Sequence, residues 1–362
     1  MSEPDVGRPK LAFVESKLFS AEDIASVLAP AFAANQHTNF GPVSLELERN
    51  LSELNGLNQA RAACCTSNGT VALQAAVSSF ANHFGRPLRW VISDFGFMTS
   101  FIGPFANQQW VECRQDGFIS VDNLKKTDVS SFDAVLATNV FGLHEDFDEL
   151  FAFCRKHGKA LLIDNAAGFR SLAPHHAAAV QDDDLLWAEA ISLHHTKPWG
   201  MGEGGAVFLP SSLLPICRSA INFGSGAGRF LSQLEHCTNG KMSEISAAQI
   251  LLRVRDHLAW APAYREQAER ILELGRKAGL LPLVPELPKL AVPGQIAFLS
   301  SHPVSFEQLQ TVEIPILKYY RPGPASGGIA RHLYERALNV PCHSQMADVP
   351  DHKLAAIFSE LA

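Results

Sequence analysis

The sequence predicts an α/β protein built around a mainly parallel sheet flanked by helices, with a small α+β domain at its C-terminal end. Between about residues 61 and 209, short apolar runs alternate with segments of helical periodicity. Strands that are apolar along their whole length and separated by helices are typical of parallel sheets covered on both faces. From about residue 243 a 3.6-residue period takes over, which indicates helix.

Six apolar runs are the predicted strands of the large sheet. They are rich in Val, Ile, Leu and Ala and read, in order, ARAACCTS, LRWVISD, DAVLATNVF, ALLIDNA, AEAISLHH and GGAVFL. Helical segments such as TVALQAAVSSFANHF and EDFDELFAFCRKHG lie between several of them, and the second ends in Lys-His-Gly, a good helix stop. We expect one large α/β domain over residues 1–240, including an N-terminal helical segment.

Residues 241–362 predict a long helix and the small C-terminal domain. SEISAAQILLRVRDHLAWAPAYREQAERILELGRKAGL keeps the helical period for many turns. A Pro-rich passage then leads to the strand GQIAFLSS and to a final helix, DHKLAAIFSELA.

Composition and charge exclude several classes of function. The formal net charge of −7, without a basic run, is untypical of a protein whose main partner is nucleic acid or an anionic membrane. No apolar window approaches the roughly 20 residues of a spanning helix, and the polar start lacks the apolar core of a signal peptide. The seven cysteines are scattered and the fourteen histidines form no metal-ligand pattern. We therefore expect a cytoplasmic protein with reduced thiols and no metal site.

The first candidate site segment is Thr66-Ser67-Asn68-Gly69-Thr70, between a predicted strand and a helix. Such residues leave backbone N–H groups pointing outward beside the positive end of the helix dipole, where anions bind. They also cap ordinary helices, which is the more common role of such a segment taken alone.

The second candidate is Asp164 in LLIDNAAG, just past the end of a buried strand. Open parallel sheets bind ligands at this edge. A carboxylate there needs a cationic or hydrogen-bonding partner to stay ionised. Capping the next helix is an equally good interpretation of Asp164 alone.

The third candidate is Lys197, in a turn between two predicted strands and followed by the glycine-rich PWGMGEGG. Most lysines are simply solvated, but the glycines allow a close approach to a bound group. A lysine that forms an imine needs a lowered pKa, which a tight site near other cations provides. His194 and His195 are candidates for that environment, although either can also be a packed side chain.

SLHHTKPWGMGEGGAVF resembles the SFHPTKNLTTGEGGAVV signature of the DegT/DnrJ/EryC1/StrS sugar aminotransferases, fold-type-I enzymes that use pyridoxal phosphate (PLP). Further segments resemble this family in the same order along the chain: NFGPVSLELERNLSELNG, VISDFGFMTSFIGPF, VLATNVFG and TNGKMSEISAAQILLRVRDHL. These matches run from about residue 38 to about residue 257, and ILKYYRPG resembles a later family segment more loosely.

The resemblance implies a role for each matched residue. Lys197 is then the lysine that holds PLP as an imine and shuttles the proton, and Asp164 the carboxylate that keeps the pyridine nitrogen protonated, which makes the ring an electron sink. Phe97 matches the aromatic residue that stacks on the ring. The phosphate cup is implied at Gly69, Thr70 and Ser192; Asn239 would reach the phosphate from the neighbouring subunit of a homodimer; and His194, Lys241 and Tyr320 are the substrate-contact candidates.

Three positions depart from the family pattern. A glutamine a few residues after the aspartate falls at Gly168, an arginine at Lys241, and a histidine at Phe223. Arginine grips phosphate with two parallel bonds, whereas lysine offers a point charge. Together the three departures point to an unusual substrate.

The resemblance implies transfer of an amino group from an amino acid, glutamate being the expected donor, to a keto-sugar that is commonly nucleotide-linked, in amino-sugar and polysaccharide biosynthesis. A sugar dehydratase of the same family is the nearest alternative, but there a histidine replaces the lysine. A lyase of the cysteine desulfurase kind would need a catalytic cysteine, for which Cys217 and Cys237 lack supporting residues. A non-catalytic PLP-binding sensor or regulator is a further alternative, and the chain carries no DNA-binding motif that would favour it.

Overall fold

The computed structural model describes residues 11–180, 184–225, 236–323 and 326–362. The strands in these ranges are β1 (Arg61–Thr66), β2 (Trp90–Ser93), β3 (Gln109–Val111), β4 (Ala134–Thr138), β5 (Ala160–Asp164), β6 (Trp187–Ser192), β7 (Gly205–Pro210), β8 (Leu281–Pro282), β9 (Gln295–Leu299) and β10 (Ala337–Pro341). The helices are α1 (Ala21–Ala33), α2 (Pro42–Leu54), α3 (Gly69–Phe84), α4 (Val121–Lys126), α5 (Asp148–His157), α6 (Ala173–Ala178), α7 (Leu214–Ala220), α8 (Glu244–Arg255), α9 (His257–Lys277), α10 (Phe306–Gln310), α11 (Gly328–Arg336) and α12 (Asp351–Leu361).

The large sheet has seven strands in the order β1-β7-β6-β5-β4-β2-β3. The neighbours from β6 to β3 pair in parallel, and β7 runs antiparallel to both β1 and β6. The prediction of a mainly parallel sheet is therefore confirmed, and all six predicted strands are present. The sequence analysis missed β3, because three residues are too short to carry an apolar pattern.

The central strands are apolar throughout because helices cover both faces of the sheet. In β4, Leu136 belongs to the apolar cluster that contains Phe80 of α3, whereas its neighbour Val135 belongs to the cluster that contains Phe151 of α5. Successive side chains of a strand point to opposite faces, so each face needs its own apolar set. Each such buried side chain contributes about 1.5–3 kcal/mol to stability.

The start of α2 explains the Gly-Pro of its sequence. The fully buried carboxylate of Glu244, on α8, accepts hydrogen bonds from the backbone N–H groups of Val43 (2.6 Å) and Ser44 (3.2 Å). A Cβ on Gly41 would lie 2.6 Å from Cδ of Glu244, so any larger residue has to displace the carboxylate that caps α2. Pro42 needs no acceptor, because it has no N–H.

The prediction of one long helix after residue 241 is wrong in one respect. This part of the chain forms two helices, α8 and α9, which meet at Asp256. Nε1 of Trp260 donates to the carbonyl of Arg253 and Nδ1 of His257 to the carbonyl of Val254, each at 2.9 Å. Those carbonyls would accept from backbone N–H groups in a continuous helix. Side chains thus replace the helical hydrogen bonds and interrupt α8 and α9.

The C-terminal region contains a three-stranded antiparallel sheet, β10-β9-β8, as a small α+β domain requires. Phe298 of β9 packs against Phe358 of α12 with their ring centroids 6.0 Å apart. One apolar cluster joins residues of α1 and α2 to this sheet and to α12, so the two parts share a core. The domain boundary at residue 240 stays a prediction. None of the described helices combines the length and the apolar character that a membrane crossing requires.

Candidate active site at the carboxyl edge of the sheet

A cavity of about 550 Å³ lies where β4, β5 and β6 end. Thr138, Asp164 and Ser192 are the last residues of these strands, and all three line it. In parallel sheets the ligand site lies outside the carboxyl ends of the strands, so this position agrees with the rule. The predicted site residues that line the cavity are Gly69, Thr70, Phe97, Asp164, Ser192, His194, Lys197 and Tyr320.

One wall is the N-terminus of α3. The side chain of Asn68 caps this helix by accepting from the N–H of Val71 at 2.9 Å. The N–H groups of Gly69 and Thr70 belong to the first turn, where a helix has no acceptor of its own. A Cβ on Gly69 would lie 3.1 Å from Cβ of Ser192, so the glycine lets α3 come close to the end of β6. This wall can therefore bind an anion, as helix N-termini do.

Asp164 is 3% exposed and lies at the end of β5. Burial raises the pKa of its carboxyl to about 6, while the N–H of Ala166 and the nearby Lys197 act in the opposite direction. Its Oδ1 accepts from the N–H of Ala166 at 3.2 Å. A buried carboxylate of this kind favours a cationic partner in the cavity.

Lys197 lies on the turn that follows β6 and lines the same cavity as the N-terminus of α3. Burial lowers the pKa of its amine, and the charge of Asp164 opposes that shift. The turn is tight, because a Cβ on Gly200 would lie 2.0 Å from the carbonyl oxygen of His194. The predicted turn between two strands is confirmed, whereas the close approach of its glycines to a bound group stays a prediction.

Two aromatic side chains, Phe97 and Tyr320, are among the residues that line the cavity. Phe97 is 44% exposed, and its ring meets that of Tyr320 edge-on at 6.0 Å. The hydroxyl of Tyr320 accepts from the N–H of Phe141 at 3.4 Å, and burial raises its pKa. The Tyr320 hydroxyl is therefore neutral at physiological pH and can act as a hydrogen-bond donor.

His194 is held by its own turn. Its Nδ1 lies 2.9 Å from the hydroxyl of Thr196, and its Nε2 lies 3.5 Å from a carboxylate oxygen of Glu203. The imidazole thus stands at the rim of the cavity with both nitrogens near polar partners, where it can contact a substrate.

Asn239 and Lys241 are not among the residues that line this cavity. The amine of Lys241 donates to Oδ1 of Asn222 (2.7 Å) and of Asn239 (2.6 Å), and lies 4.7 Å from the ring centroid of Phe223. Phe223 is 67% exposed, with a φ of +57°. These residues form one surface cluster, and their roles in a neighbour's site and in substrate binding stay predictions.

The turn after Asp164 corrects one expectation of the sequence analysis. Ala167, rather than Gly168, lines the cavity. A Cβ on Gly168 would lie 2.2 Å from Oδ1 of Asn165 and 2.5 Å from Nδ2 of Asn139, so no side chain fits there. A side chain that faces a ligand at this turn would come from Ala166 or Ala167, which both line the cavity, and not from Gly168.

Behind the turn lies a polar network that the sequence analysis missed. Asn165 donates to Oε1 of the fully buried Glu189 at 2.5 Å, and the other oxygen of Glu189 lies 2.6 Å from Nε2 of His176. Asn139 donates to Oδ1 of Asn165 at 2.8 Å and lines the cavity itself. A glutamate within the apolar strand AEAIS was a usable signal, because a buried charge needs partners. Thr99, Thr138, Ala166 and Glu203 also line the cavity without having been singled out.

The sheet topology, the lysine on the turn after one strand and the buried acid at the end of the adjacent strand define a fold-type-I PLP-dependent protein. Residues 20–275 match the model of the DegT/DnrJ/EryC1/StrS aminotransferase family, and the chain belongs to this family. The resemblance stated from the sequence is thereby confirmed. PLP is the cofactor of these aminotransferases.

Two curated relatives are Protein Rv3402c of Mycobacterium tuberculosis and Protein Mb3436c of Mycobacterium bovis. Each is 31% identical over 257 residues, which is 66% of this chain and 59% of the relative. The chain thus matches less than two thirds of the length of these proteins.

Solved structures share the fold over nearly the whole chain. DesI, determined with its TDP-sugar product, superposes with a TM-score of 0.78 at 20% identity, covering 98% of this chain and 92% of DesI. Helicobacter pylori PseC, an aminotransferase of pseudoaminic acid biosynthesis, gives 0.77 at 19% identity, covering 97% of this chain and 99% of PseC. A family member from Brucella abortus gives 0.73 at 20% identity, covering 94% and 95%.

The cavity fits PLP on four observations. The open first turn of α3 beside Ser192 suits a phosphate, and the buried Asp164 suits a protonated ring nitrogen. The amine of Lys197, with its pKa lowered by burial, suits attachment to an aldehyde. The exposed ring of Phe97 adds an apolar face for a planar group.

Proposed function

We propose that the chain is a PLP-dependent aminotransferase that moves an amino group from glutamate to a nucleotide-linked keto-sugar. The observation that carries the proposal is that Lys197 and Asp164 line one cavity and are shifted in opposite directions by burial, each toward its neutral form. Family membership supports the aminotransferase class. The TDP-sugar product of DesI, a protein of the same fold, supports a sugar nucleotide as the acceptor.

Bound PLP supplies an electron sink for the carbanion formed at the amino-bearing carbon. Asp164 would hold the proton on the ring nitrogen. The positive charge of the protonated ring would stabilise the carboxylate and so offset the effect of burial, which raises the pKa of Asp164. Nζ of Lys197 would take the proton from the amino-bearing carbon of the donor and deliver one to the acceptor carbon. Its lowered pKa favours that exchange near neutral pH.

The remaining residues position the reactants. Gly69, Thr70 and Ser192 would hold the phosphate, and Phe97 would cover one face of the ring. His194 and Tyr320 are placed for contact with the acceptor, since both also line an adjoining cavity of about 330 Å³. Lys197 lines both cavities, and Phe13, Leu317 and Tyr319 are among the apolar walls of the second. Its apolar character suits the carbon face of a sugar ring.

We also propose an oligomeric state, a cellular location and a pathway for the enzyme. Asn239 and Lys241 would serve the partner's site in a homodimer with shared active sites, which agrees with their place on the surface beside the exposed Phe223. We propose a cytoplasmic enzyme of amino-sugar and polysaccharide biosynthesis.

The decisive variant is Lys197→Ala. A panel of keto-sugar nucleotides is incubated with glutamate, and the amino product is quantified by mass spectrometry. We expect product formation to fall to background, because the proton carrier is gone, while the thermal melting midpoint stays close to that of the wild type. Lys159→Ala is the control, because Lys159 lies just before β5, at the opposite end of that strand from Asp164. Product formation by Lys197→Ala at the wild-type rate would refute the assignment.

Absorbance separates an enzyme from a sensor. The wild-type holoprotein should absorb near the edge of the visible range and bleach when glutamate is added, because the amino group moves onto the cofactor. Absorbance that resists every amino acid would favour a non-catalytic regulator.

A further inference from the structure

Lys17 lies against the turn that carries Lys197, although the two are 180 residues apart in sequence. Its amine donates to three backbone carbonyls, those of His195 (2.8 Å), Lys197 (2.5 Å) and Gly200 (2.7 Å). The Lys17 side chain is buried. An ammonium has three N–H donors, so the three carbonyls use all of them.

The turn needs such a partner. Two backbone hydrogen bonds form within the turn: the N–H of Lys197 donates to the carbonyl of His194, and the N–H of Gly200 donates to the carbonyl of Lys197. In this conformation the carbonyls of His195, Lys197 and Gly200 all lie within reach of one amine. The carbonyl of Lys197 also accepts from the N–H of Gly200, whereas Lys17 supplies the donor for the carbonyls of His195 and Gly200. A buried carbonyl without a donor destabilises the conformation that buries it. Lys17 therefore removes a penalty that would otherwise favour another conformation of the turn.

The segment that carries Lys17 is itself anchored beside Lys197. The carboxylate of Glu15 accepts from the guanidinium of Arg253 at 2.6 Å, and Nε of Arg253 donates to the carbonyl of Pro198 at 2.8 Å. The N-terminal segment thus holds the turn both through Lys17 and, by way of Glu15 and Arg253, at the residue that follows Lys197.

We propose that Lys17 is a positioning residue, which fixes the direction and the proton affinity of the Lys197 amine by clamping the carbonyls of its turn. The proposal rests on the proposed function, in which Lys197 is the reacting amine. Lys17 need not touch the cofactor or the substrate for this role, because it acts through the backbone. Small displacements of a reacting group cost up to about 100-fold in rate.

The electrostatic surroundings agree with a role near neutral pH. Burial, and then the charge of Arg253, lower the pKa of Lys17 to about 7, while Glu15 raises it. His195 and His343 also face Lys17. Burial lowers the pKa of both imidazoles, and the charge of Lys17 adds to that shift. The number of N–H donors on Lys17 therefore changes with pH near neutrality.

The test compares Lys17→Met with Lys159→Met. Lys159 is a matched control, because it too donates to a backbone carbonyl, that of Phe132 at 2.8 Å, but at the opposite edge of the sheet. Binding of PLP to each cofactor-free protein is verified first. Two quantities are then measured: the pH midpoint of the cofactor's visible absorbance, and the rate constant for bleaching by glutamate in a single turnover.

We expect Lys17→Met to slow bleaching by about 10- to 100-fold. The pH midpoint should move upward by about one unit, because a neighbouring positive charge has been removed. Lys159→Met should leave both quantities unchanged. If Lys17→Met proves insoluble, Lys17→Gln is measured instead. It keeps two N–H donors but loses the charge, so it should show the same upward shift of the pH midpoint with a smaller loss of bleaching rate.

The proposal would be overturned if Lys17→Met or Lys17→Gln showed the wild-type pH midpoint and the wild-type bleaching rate. It would also be overturned if a lowered melting temperature were the only effect of the substitution. The outcomes also separate this inference from the proposed function. A wild-type protein that binds no PLP contradicts the function itself. A wild type that binds and bleaches, with a Lys17 variant that matches it, contradicts only the role of Lys17.

Discussion

At the scale of single residues, burial moves two opposite charges toward neutrality within one cavity. Burial raises the pKa of Asp164 to about 6 and lowers the pKa of Lys197. Sites in which two titratable groups are shifted apart from their ordinary values are typical of acid–base chemistry. The ionised form of Asp164 is therefore costly until a cation lies beside it.

This cost predicts a pH dependence of stability in the cofactor-free protein. The folded pKa of Asp164, about 6, lies above its ordinary value of 3.8, so the folded state binds the proton more tightly than the unfolded state. The stabilising effect is present below pH 4 and is lost as the pH rises toward 6. Relative to Asp164→Asn, the wild type should lose on the order of 3 kcal/mol over this range.

Urea unfolding of both cofactor-free proteins at several pH values between 4.5 and 7.5 measures this difference directly. The difference between the two unfolding free energies should grow up to about pH 6 and stay constant at higher pH. A difference in unfolding free energy that does not change with pH would mean that Asp164 titrates normally. Saturating PLP should reduce the pH dependence, since the ring nitrogen then shares the proton.

At the scale of elements, the anion-binding end of α3 depends on its neighbours in the sheet. Gly205, the first residue of β7, lies directly against the backbone of the helix cap. A Cβ there would lie 2.5 Å from the carbonyl carbon of Asn68 and 2.7 Å from the nitrogen of Gly69. Backbone atoms cannot move aside as a flexible side chain can, so a larger residue has to displace the whole first turn.

Gly205→Ala is therefore expected to weaken phosphate recognition in particular. The affinity of the cofactor-free protein for PLP should fall by about 10-fold, equivalent to about 1.4 kcal/mol. The affinity for pyridoxal, which lacks the phosphate, should change less. Both are measured by absorbance titration.

Gly328→Ala is the control for this prediction, because a Cβ at Gly328 meets no atom within 4 Å. Equal losses of affinity for PLP and pyridoxal in Gly205→Ala would place the damage elsewhere than at the helix N-terminus.

At the scale of the whole molecule, the described residues of one chain supply the acid, the amine and the helix N-terminus of the cavity. Asn239 lies instead in the surface cluster with Lys241 and Phe223. Residues that serve a neighbour's site have to be exposed in the isolated chain, and this cluster meets that condition. A symmetric dimer would place it twice, once at each site.

Complementation in mixed dimers tests this arrangement. Lys197→Ala and Asn239→Ala are each expected to be poorly active alone, because one lacks the amine and the other the contribution from the neighbouring chain. After mixing and subunit exchange, about a quarter of the wild-type activity should return, since half the dimers are mixed and each of these has one intact site. Activity that remains at the sum of the two separate proteins would show that Asn239 serves its own chain.

Local patterns in the sequence determined much of the fold and part of the site. The runs VLAT and LLID are apolar at every position but the last, so they predicted strands buried on both faces. The lysine turn was visible because glycines follow it. The three-residue β3 and the break at Asp256 left no such pattern, since side chains from the next turn of the chain, Trp260 and His257, decide the break.

Only the tertiary structure decided which residues meet across long separations. Nothing near Lys17 in sequence indicates that its amine binds the turn of Lys197, and no pattern links Glu189 to Asn165. It also decided that Gly168 faces Asn139 and Asn165, whereas Ala167 faces the cavity. Propensity and periodicity act between residues within a few positions of one another, whereas the partners of a buried polar group are chosen by packing, once the chain has brought distant segments together.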